Sequence, residues 1–434
     1  MKKYKVAILG ATGAVGREMM KVLAERDFPA EELHLLASER SVGQVLPWKG
    51  QDIAVELACD EAFEGMDIVL GAAENDIAKR FAPAIVRSGA VFVDNSSAFR
   101  MDPDVPLVIP EINPEDAGKH KGIIANPNCT TIVSLVAINA LNQDSPIESI
   151  VASSYQAVSG AGAGGPIELM NEVEALGLGQ KVEPKVFQYQ IAYNVIPQIG
   201  GEAFEGYTSE EMKMQNEGRK IMHLPALKVS CTCVRVPVVR SHSVSIVVRT
   251  KEKISVERAR QLIAAAPGCR LVDDLANRRY PMPLETSDQD LVFVGRIRDD
   301  LTSDNGLNIW CCGGRKLGSG YRFDFRHDDV RLDFVEQRAQ LVRVGHVEHA
   351  VFVRHLLCRR AGVGIGRAHP CAESHQFDGD FLAQLAGAKE QNTGRMLAKR
   401  SAEGTILFSH DFYCAIGVGW NACPRMRRMK RNPP

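Results

Sequence analysis

The sequence predicts an α/β fold, in which a doubly wound parallel sheet is followed by an α+β domain and an irregular C-terminal tail. Apolar strand-like runs alternate with helical patterns in the first part of the chain, which is typical of a parallel sheet. The sequence pattern changes near Ser149, where a predicted strand is followed by a glycine-rich loop. Six of the 11 cysteines and seven of the 11 histidines follow Trp310. We therefore expect three parts, residues 1–128, 129–310 and 311–434, and expect the last to be poorly ordered.

Length, charge and cysteine content limit the class of protein. The chain has 434 residues, enough for two or three domains, and a net charge of −1, so bulk electrostatics suggest neither nucleic acid nor an anionic membrane as a partner. The N-terminus lacks the apolar core of a signal peptide, and no apolar stretch is long enough to span a bilayer. The 11 cysteines show no framework spacing, which indicates reduced thiols and a cytoplasmic protein. We expect no metal site.

The first predicted element is a strand at residues 5–9, followed by the turn GATGAVG at 10–16 and a helical pattern at 17–26. A strand, a glycine turn and a helix form the setting of a dinucleotide-binding fingerprint. The glycines let backbone N–H groups approach a pyrophosphate at the helix N-terminus. The turn therefore predicts a nucleotide site in a Rossmann-type domain. A tight turn without a ligand is the alternative.

The end of the second strand bears on the choice of cofactor. This strand, at residues 33–36, leads into a polar segment that contains Glu39, Arg40 and Ser41. NAD enzymes usually place an acid here to bind the ribose 2′-hydroxyl. Arg40 and the serines suit a 2′-phosphate, which favours NADP, whereas Glu39 argues for NAD. Arg40 as an ordinary solvated charge is the alternative.

Further strands are predicted at residues 67–72 and 90–94, with a helix at 77–87 between them. The polar loop DNSSAFR at 94–100 then follows the carboxyl end of a strand, where ligands bind in such sheets. Arg100 is therefore a candidate to bind an anion. A surface arginine without such a role is the alternative.

Cys129 stands at the start of an apolar run, residues 132–141, that is predicted to be a helix. Asn126-Pro127 is a turn signal, and Asn128 is suited to cap the helix N-terminus. A thiol there lies at the positive end of the helix dipole, which favours the thiolate. A buried structural cysteine is the alternative, and this stretch alone does not decide between the two.

The second domain carries further candidate residues. A strand at residues 150–158 runs into the glycine-rich loop 159–165, whose backbone can approach a ligand closely. A helix capped by Ser209 is predicted to place Glu210 and Lys213 on one face. A solvated ion pair is the alternative for these two side chains.

Two more strands are predicted at residues 229–236 and 244–248, as a hairpin. Arg235 and His242 lie near the hairpin end, where they are expected to face one pocket. A single histidine is more often structural, so this pair needs support from the other motifs.

Together these motifs resemble the aspartate-β-semialdehyde dehydrogenase family over residues 1–310, in the family's order and at similar spacing. The matching segments are GATGAVG (10–16), SAFR (97–100), NPNCTT (126–131), YQAVSGAG (155–162), EEMK (210–213) and the segment from RVP (235–237) to His242-Ser243. The resemblance implies NADPH-dependent, reversible conversion of L-aspartyl-4-phosphate to L-aspartate-4-semialdehyde, in lysine, threonine and methionine biosynthesis. It also implies a homodimer or homotetramer, assembled through the second domain.

The resemblance further implies a role for each matching residue. Cys129 would be the nucleophile that forms an acyl-thioester, His242 the acid and base, and Gln156 the residue that orients the thioester. Arg235 would bind the substrate α-carboxylate and Glu210 the α-amino group, and phosphate would be held by Arg100, Lys213 and Asn128. The NADP site would be formed by Gly10, Thr12, Gly13, Ala14, Val15, Arg40, Ser41, Ser159 and Gly160.

Two alternatives remain open. N-acetyl-glutamyl-phosphate reductase performs the same chemistry on an acylated substrate, which has no free α-amino group to pair with Glu210. A catalytically impaired nucleotide-binding protein would result if the aberrant C-terminus had removed a family helix that packs on the nucleotide domain. After Trp310 the family pattern stops, and we expect a frameshift there; a genuine metal-binding domain rich in Cys and His is the alternative.

Overall fold

The computed structural model describes residues 2–314 and four short strands in the remainder of the chain. The chain forms two compact units, Met1–Glu336 and Gln337–Pro434. The first unit contains a doubly wound sheet domain and an α+β domain, so the predicted fold class is confirmed.

The N-terminal sheet has seven strands in the order β3-β4-β2-β1-β5-β6-β7, all parallel except the β3–β4 pair. Its strands are β1 Tyr4–Leu9, β2 Ala30–Ala37, β3 Val45–Trp48, β4 Gln51–Leu57, β5 Ile68–Gly71, β6 Val91–Asp94 and β7 Ile123–Ala125. The helices α1 Ala14–Glu25 and α2 Asn75–Arg87 belong to the same domain. The central strands β1 and β5 are apolar apart from Lys5 near the start of β1, because both faces of the sheet are covered.

The turn between β1 and α1 requires its glycines. Gly10 has φ +89°, and a Cβ there would lie 2.8 Å from the carbonyl oxygen of Ala72. A Cβ on Gly16 would lie 2.5 Å from the carbonyl oxygen of Gly10. The backbone therefore packs too closely for any side chain at these two positions.

The second domain contains a six-stranded sheet in the order β11-β8-β12-β15-β14-β13. Its strands are β8 Ile147–Gln156, β11 Lys228–Arg235, β12 His242–Thr250, β13 Cys269–Leu271, β14 Val292–Asp299 and β15 Gly306–Gly313, and β9 Glu202–Phe204 pairs with β10 Tyr207–Thr208 outside this sheet. The helices are α3 Cys129–Asp144, α4 Gly164–Gly177, α5 Ser209–Ile221, α6 Val256–Ala265 and α7 Pro283–Thr286. One apolar core joins α3 to the buried face of the sheet.

Two local predictions in this domain are wrong. β11 and β12 do not form a hairpin, because β8 lies between them, parallel to β11 and antiparallel to β12. The cap of α5 is Thr208 rather than Ser209. Its side chain accepts from the N–H of Glu211, and the Glu211 carboxylate accepts from the N–H of Thr208, which completes a capping box.

The strand β15 continues past Trp310, where the sequence predicted the end of the domain. Its last residues pair with the start of β12, with Cys312 opposite Ser243 and Gly313 opposite His242. The chain at 311–313 therefore completes the sheet beside His242.

Beyond residue 314 the structure describes two short antiparallel pairs. β16 Phe323–Asp324 pairs with β17 Arg331–Leu332, and in the second unit β18 Ala398–Arg400 pairs with β19 Ile406–Phe408. Apart from these strands, the predictions for the tail, namely a frameshift with poor order or a metal-binding domain, concern residues outside the described part of the chain. Within the described part, none of the helices combines the length and apolar character that a membrane crossing requires.

Candidate active site

Cys129 is the first residue of α3, and its position is fixed by the residues before it. The Asn128 side chain accepts from the N–H groups of Thr130 at 2.9 Å and Thr131 at 3.2 Å, so the predicted N-cap is confirmed. The N–H of Asn126 donates to the carbonyl of Asp94, which ties this turn to the carboxyl end of β6. The thiol is exposed toward a pocket at this edge of the sheet.

The pocket combines residues of both domains. Six of the predicted site residues besides Cys129 line it: Val15, Arg100, Asn128, Ser159, Gly160 and His242. The remaining lining residues that the sequence had not identified are Glu18, Met19, Asn95, Asn126, Pro127, Ile132, Val133, Ser241, Gly313 and Gly314. The Cys129 thiol and the His242 imidazole thus line one cleft together with residues of the nucleotide domain.

The predicted effect of the helix terminus on Cys129 is wrong in its net direction. Desolvation of the thiol by the surrounding protein raises its pKa, although the residue keeps exposed surface. The nearby charge of Glu210 raises the pKa further. Arg100, Lys213 and the N–H of Thr130 lower it, but by less. The resting group is therefore a thiol.

His242 opens strand β12, and a backbone contact sets its tautomer. The N–H of Ala157 donates to Nδ1 at 3.0 Å, so the neutral ring carries its own hydrogen on Nε2. The residue before it, Ser241, has φ +71°, a conformation that non-glycine residues rarely adopt. The Ser241 hydroxyl bonds that of Thr286 at 2.6 Å, which holds the strained turn in place.

The Glu210 carboxylate joins three predicted site residues. Its Oε1 accepts from Asn128 Nδ2 at 2.9 Å and from Gln156 Nε2 at 3.2 Å, and its Oε2 accepts from Lys213 Nζ at 2.7 Å. Burial raises the pKa of Glu210, but the Lys213 ammonium and the amide donors outweigh it, so the net shift is downward. The Glu210–Lys213 ion pair is therefore part of the site rather than a solvated surface pair, and Glu210 stays ionised.

Glu217 also belongs to this site, although none of the sequence motifs identifies it. Its Oε1 accepts from Arg100 Nη1 at 3.1 Å, and its Oε2 accepts from the backbone N–H of Asn128 at 2.7 Å. Arg100 also donates to the carbonyl oxygens of Asn126 and Asn95. Arg100 is 8% exposed and Glu217 2% exposed, so this is a buried ion pair. It orients Arg100 and the turn before Cys129 together.

The spacing of charged residues along α5 indicates that Glu217 lies on the same helix face as Glu210 and Lys213. Glu210, Lys213, Glu217 and Lys220 follow one another at three- and four-residue steps, so they lie on one face of the helix. Lys220 Nζ donates to three carbonyl oxygens of the loop after Arg100, those of Arg100, Asp102 and Val105. This polar face of α5 therefore holds the Arg100 loop of the nucleotide domain against the second domain.

Arg235 lies at the end of β11, 7% exposed, and is confined on several sides. Its Nη1 donates to the carbonyl of Ala157 at 2.8 Å. A Cβ on Gly160 would lie 2.7 Å from the same Nη1 and 3.5 Å from Cε1 of His242. Gly160 therefore lets the loop pass directly beside the arginine and the histidine. The two side chains are close together although β8 separates their strands, but only His242 is among the residues that line the pocket of Cys129.

The β1–α1 turn fits a nucleotide phosphate. Helix α1 begins at Ala14, and its N-cap, Gly13, supplies no side-chain hydrogen bond to the first turn. With the glycine-only backbone at Gly10, this leaves a cradle of N–H groups of the kind that binds pyrophosphate. Nearby, the hydroxyls of Thr12 and Ser41 lie 3.4 Å apart, and Arg40 is exposed at the end of β2.

Comparison with known proteins agrees with this architecture. The model of the semialdehyde dehydrogenase NAD binding domain matches residues 5–120, and that of the semialdehyde dehydrogenase dimerisation domain matches residues 138–314. The aspartate-semialdehyde dehydrogenase of Aquifex aeolicus is 50% identical over 312 residues, which are 71% of this chain and 92% of that protein. The enzyme of Bacillus subtilis is 44% identical over 313 residues, 70% of this chain and 90% of that protein.

Solved structures agree as well. The crystal structure of aspartate semialdehyde dehydrogenase II from Vibrio cholerae, complexed with ASA, has a TM-score of 0.72 at 39% identity and covers 74% of this chain and 96% of that one. The Candida albicans enzyme with NADP has a TM-score of 0.57 at 25% identity, with the same 74% and 96% coverage. The matches thus span nearly the whole of these relatives. The chain belongs to the aspartate-semialdehyde dehydrogenase family.

Proposed function

We propose that the protein reduces L-aspartyl-4-phosphate to L-aspartate-4-semialdehyde, reversibly, with a nicotinamide cofactor. The observation that carries the proposal is the placement of Cys129 and His242 in one pocket beside Arg100, with the Glu210 and Arg235 groups adjoining it. The names of the relatives support this substrate rather than N-acetyl-glutamyl phosphate. Ionised Glu210 supports it too, because an acylated amine would offer no cation to that carboxylate.

In the biosynthetic direction, the Cys129 sulfur attacks the acyl carbon, and inorganic phosphate departs with the bonding electron pair and takes up the proton of the thiol. This gives a thioester on Cys129. A reduced nicotinamide cofactor held at the β1–α1 turn would supply the hydride that reduces the thioester carbon. The Nε2–H of His242 is suited to donate to the oxygen on which charge develops. Collapse of the adduct then re-forms the carbonyl and releases the aldehyde and the Cys129 thiolate, which takes up a proton from water to restore the thiol.

Substrate recognition follows from the charges around the pocket. We assign Arg235 to the α-carboxylate, because its planar fork matches that group, and Glu210 to the α-ammonium. Arg100, Lys213 and Asn128 are assigned to phosphate, and Gln156 to orientation of the thioester. Ser159 and Gly160 line the same pocket as Val15 of α1, and we assign them to the cofactor.

We also propose a preference for NADP over NAD. The support is Arg40 with Ser41 at the end of β2, where an NAD enzyme usually has an acid, and the NADP bound to the Candida albicans relative. Arg40 is exposed, so it can reach a 2′-phosphate without rearrangement of the core. Loss of its charge in Arg40→Ala is expected to lower the NADP-to-NAD ratio of kcat/KM.

The function is tested by phosphate-dependent formation of NADPH from aspartate semialdehyde and NADP with the full chain. We expect turnover that requires all three reactants and is slower with NAD. Turnover of N-acetyl-glutamate semialdehyde in its place would favour the alternative substrate. No turnover with either aldehyde would favour a nucleotide-binding protein without this activity.

We propose a homodimer formed through the second domain, in the cytoplasm. The outer face of the six-stranded sheet exposes Val151 at 49% and Tyr155 at 38%, and the Tyr155 ring lies 5.5 Å from that of Trp310. An apolar sheet face of this kind is typical of a protein interface. The seven cysteines in the described part are free, which suits a reducing compartment. Sedimentation of the full chain at the mass of a monomer would contradict the homodimer.

A further inference from the structure

Helix α4 carries two buried carboxylates that bind backbone rather than side chains. Glu168 is 8% exposed and Glu172 is 3% exposed, and the two stand one helical turn apart. Glu168 accepts from three consecutive N–H groups at 2.6 to 3.0 Å, those of Lys185, Val186 and Phe187. Glu172 accepts from two more at 2.9 and 2.7 Å, those of Ile191 and Ala192.

These five bonds fix a segment that has little other regular structure. Residues 178–201, all of which the structure describes, form no helix or strand apart from one bridge at Ile196. Charge-assisted bonds from N–H groups to a carboxylate are stronger than bonds between neutral groups, and more so away from water. The conformation of residues 185–192 therefore depends on the charges of Glu168 and Glu172.

The same segment surrounds Arg235. The Phe187 ring lies 5.8 Å from the Arg235 guanidinium, within the range of a cation–π contact. The backbone of Ile196 pairs with that of Arg235 in both directions, at 3.0 Å and 2.8 Å. A small apolar cluster joins Leu169 of α4 to Ile191 and Ile196 of the segment, and Phe187 packs against it. Both the side chain and the backbone of Arg235 thus rest on residues held by α4.

We infer that Glu168 and Glu172 are positioning residues, which hold Arg235 through Phe187 and Ile196 in the orientation that selects a substrate carrying an α-carboxylate. The inference rests on the proposed role of Arg235. A guanidinium binds a carboxylate through two parallel N–H bonds, so its alignment matters as much as its charge. A small displacement of such a group lowers the rate without removing the chemistry at Cys129.

The test compares two aldehydes with the full chain. Aspartate semialdehyde has the α-carboxylate, and 3-aminopropanal has the same amine and aldehyde without it. The ratio of their kcat/KM values measures recognition of the carboxylate. A purely structural loss of active protein lowers both values together and leaves the ratio unchanged.

We expect Glu168→Gln to lower this ratio about 10-fold, mainly through the KM of aspartate semialdehyde, with little change for NADP or phosphate. Phe187→Leu, which leaves the carboxylates intact, is expected to shift the ratio in the same direction. The matched control is Glu174→Gln, which changes an exposed glutamate of the same helix and is expected to leave the ratio unaltered. Arg235→Lys is the reference for loss of the carboxylate site.

The outcomes separate the two proposals. An unchanged ratio in both Glu168→Gln and Phe187→Leu, with a lowered ratio in Arg235→Lys, would overturn the positioning role alone. An unchanged ratio in Arg235→Lys would overturn the assignment of Arg235, and the positioning role with it. Absence of turnover in the wild type with every aldehyde would instead refute the proposed function.

Discussion

Cys129→Ser is expected to lower phosphate-dependent NADPH formation by about 10⁴-fold or more. The serine hydroxyl is a much weaker nucleophile than the cysteine sulfur, and it cannot form a thioester. The serine hydroxyl is nearly the same size, so α3 and its Asn128 cap are expected to remain intact. The measurement is the steady-state rate with aspartate semialdehyde, NADP and phosphate. Cys59→Ser, at a partly exposed cysteine of the nucleotide domain, is the matched control and should retain full activity. Equal rates for wild type and Cys129→Ser would contradict the enzyme assignment.

The raised pKa of Cys129 gives this prediction a pH dependence. Only the thiolate reacts with iodoacetamide, so the alkylation rate follows the fraction deprotonated. Since the pKa lies above the ordinary value for a thiol, the rate should still be rising with pH where a free cysteine has already titrated. Glu210→Gln removes a negative charge that raises this pKa, so it should speed alkylation near neutral pH. A plateau below the ordinary thiol pKa would show that the helix terminus dominates after all.

Features that depend on neighbouring residues in the chain were predictable. The Asn128 cap, the helix that begins at Cys129 and the glycine turn at Gly10 each follow from local backbone requirements. The cap of α5 was misplaced by one residue, because Thr208 and Ser209 are both suitable caps. Only the reciprocal bond from Glu211 decides between them.

Features that depend on distant residues were not predictable from the sequence pattern. Strand order is one case, since nothing local to β11 and β12 shows that β8 lies between them. The pKa of Cys129 is another, because its net direction depends on Glu210 and on crowding by the folded protein. Glu168 is a third case, because the five hydrogen bonds that it and Glu172 accept from backbone N–H groups form only when residues 185–192 pack against α4.

Glu217→Gln is expected to destabilise the protein by about 3 kcal/mol, because it leaves the buried Arg100 guanidinium without a countercharge. The amide keeps nearly the same shape, so the loss reflects charge rather than a cavity. Because Glu217 also accepts from the N–H of Asn128, the residues proposed to bind phosphate should lose alignment and the KM for phosphate should rise. Urea unfolding and phosphate kinetics are the measurements. Glu174→Gln, at an exposed helical glutamate, is expected to change neither.

A double variant distinguishes the structural part of this pair from the functional part. The double variant Arg100→Met with Glu217→Met removes both buried charges together. Its free energy of unfolding should therefore be higher than that of either single variant. Phosphate use should not recover, because the cation in the pocket is gone. If the double variant regained a normal KM for phosphate, Arg100 would have only a structural role. If its loss of stability equalled the sum of the two single losses, the pair would not be energetically coupled, contrary to its 3.1 Å contact in the interior.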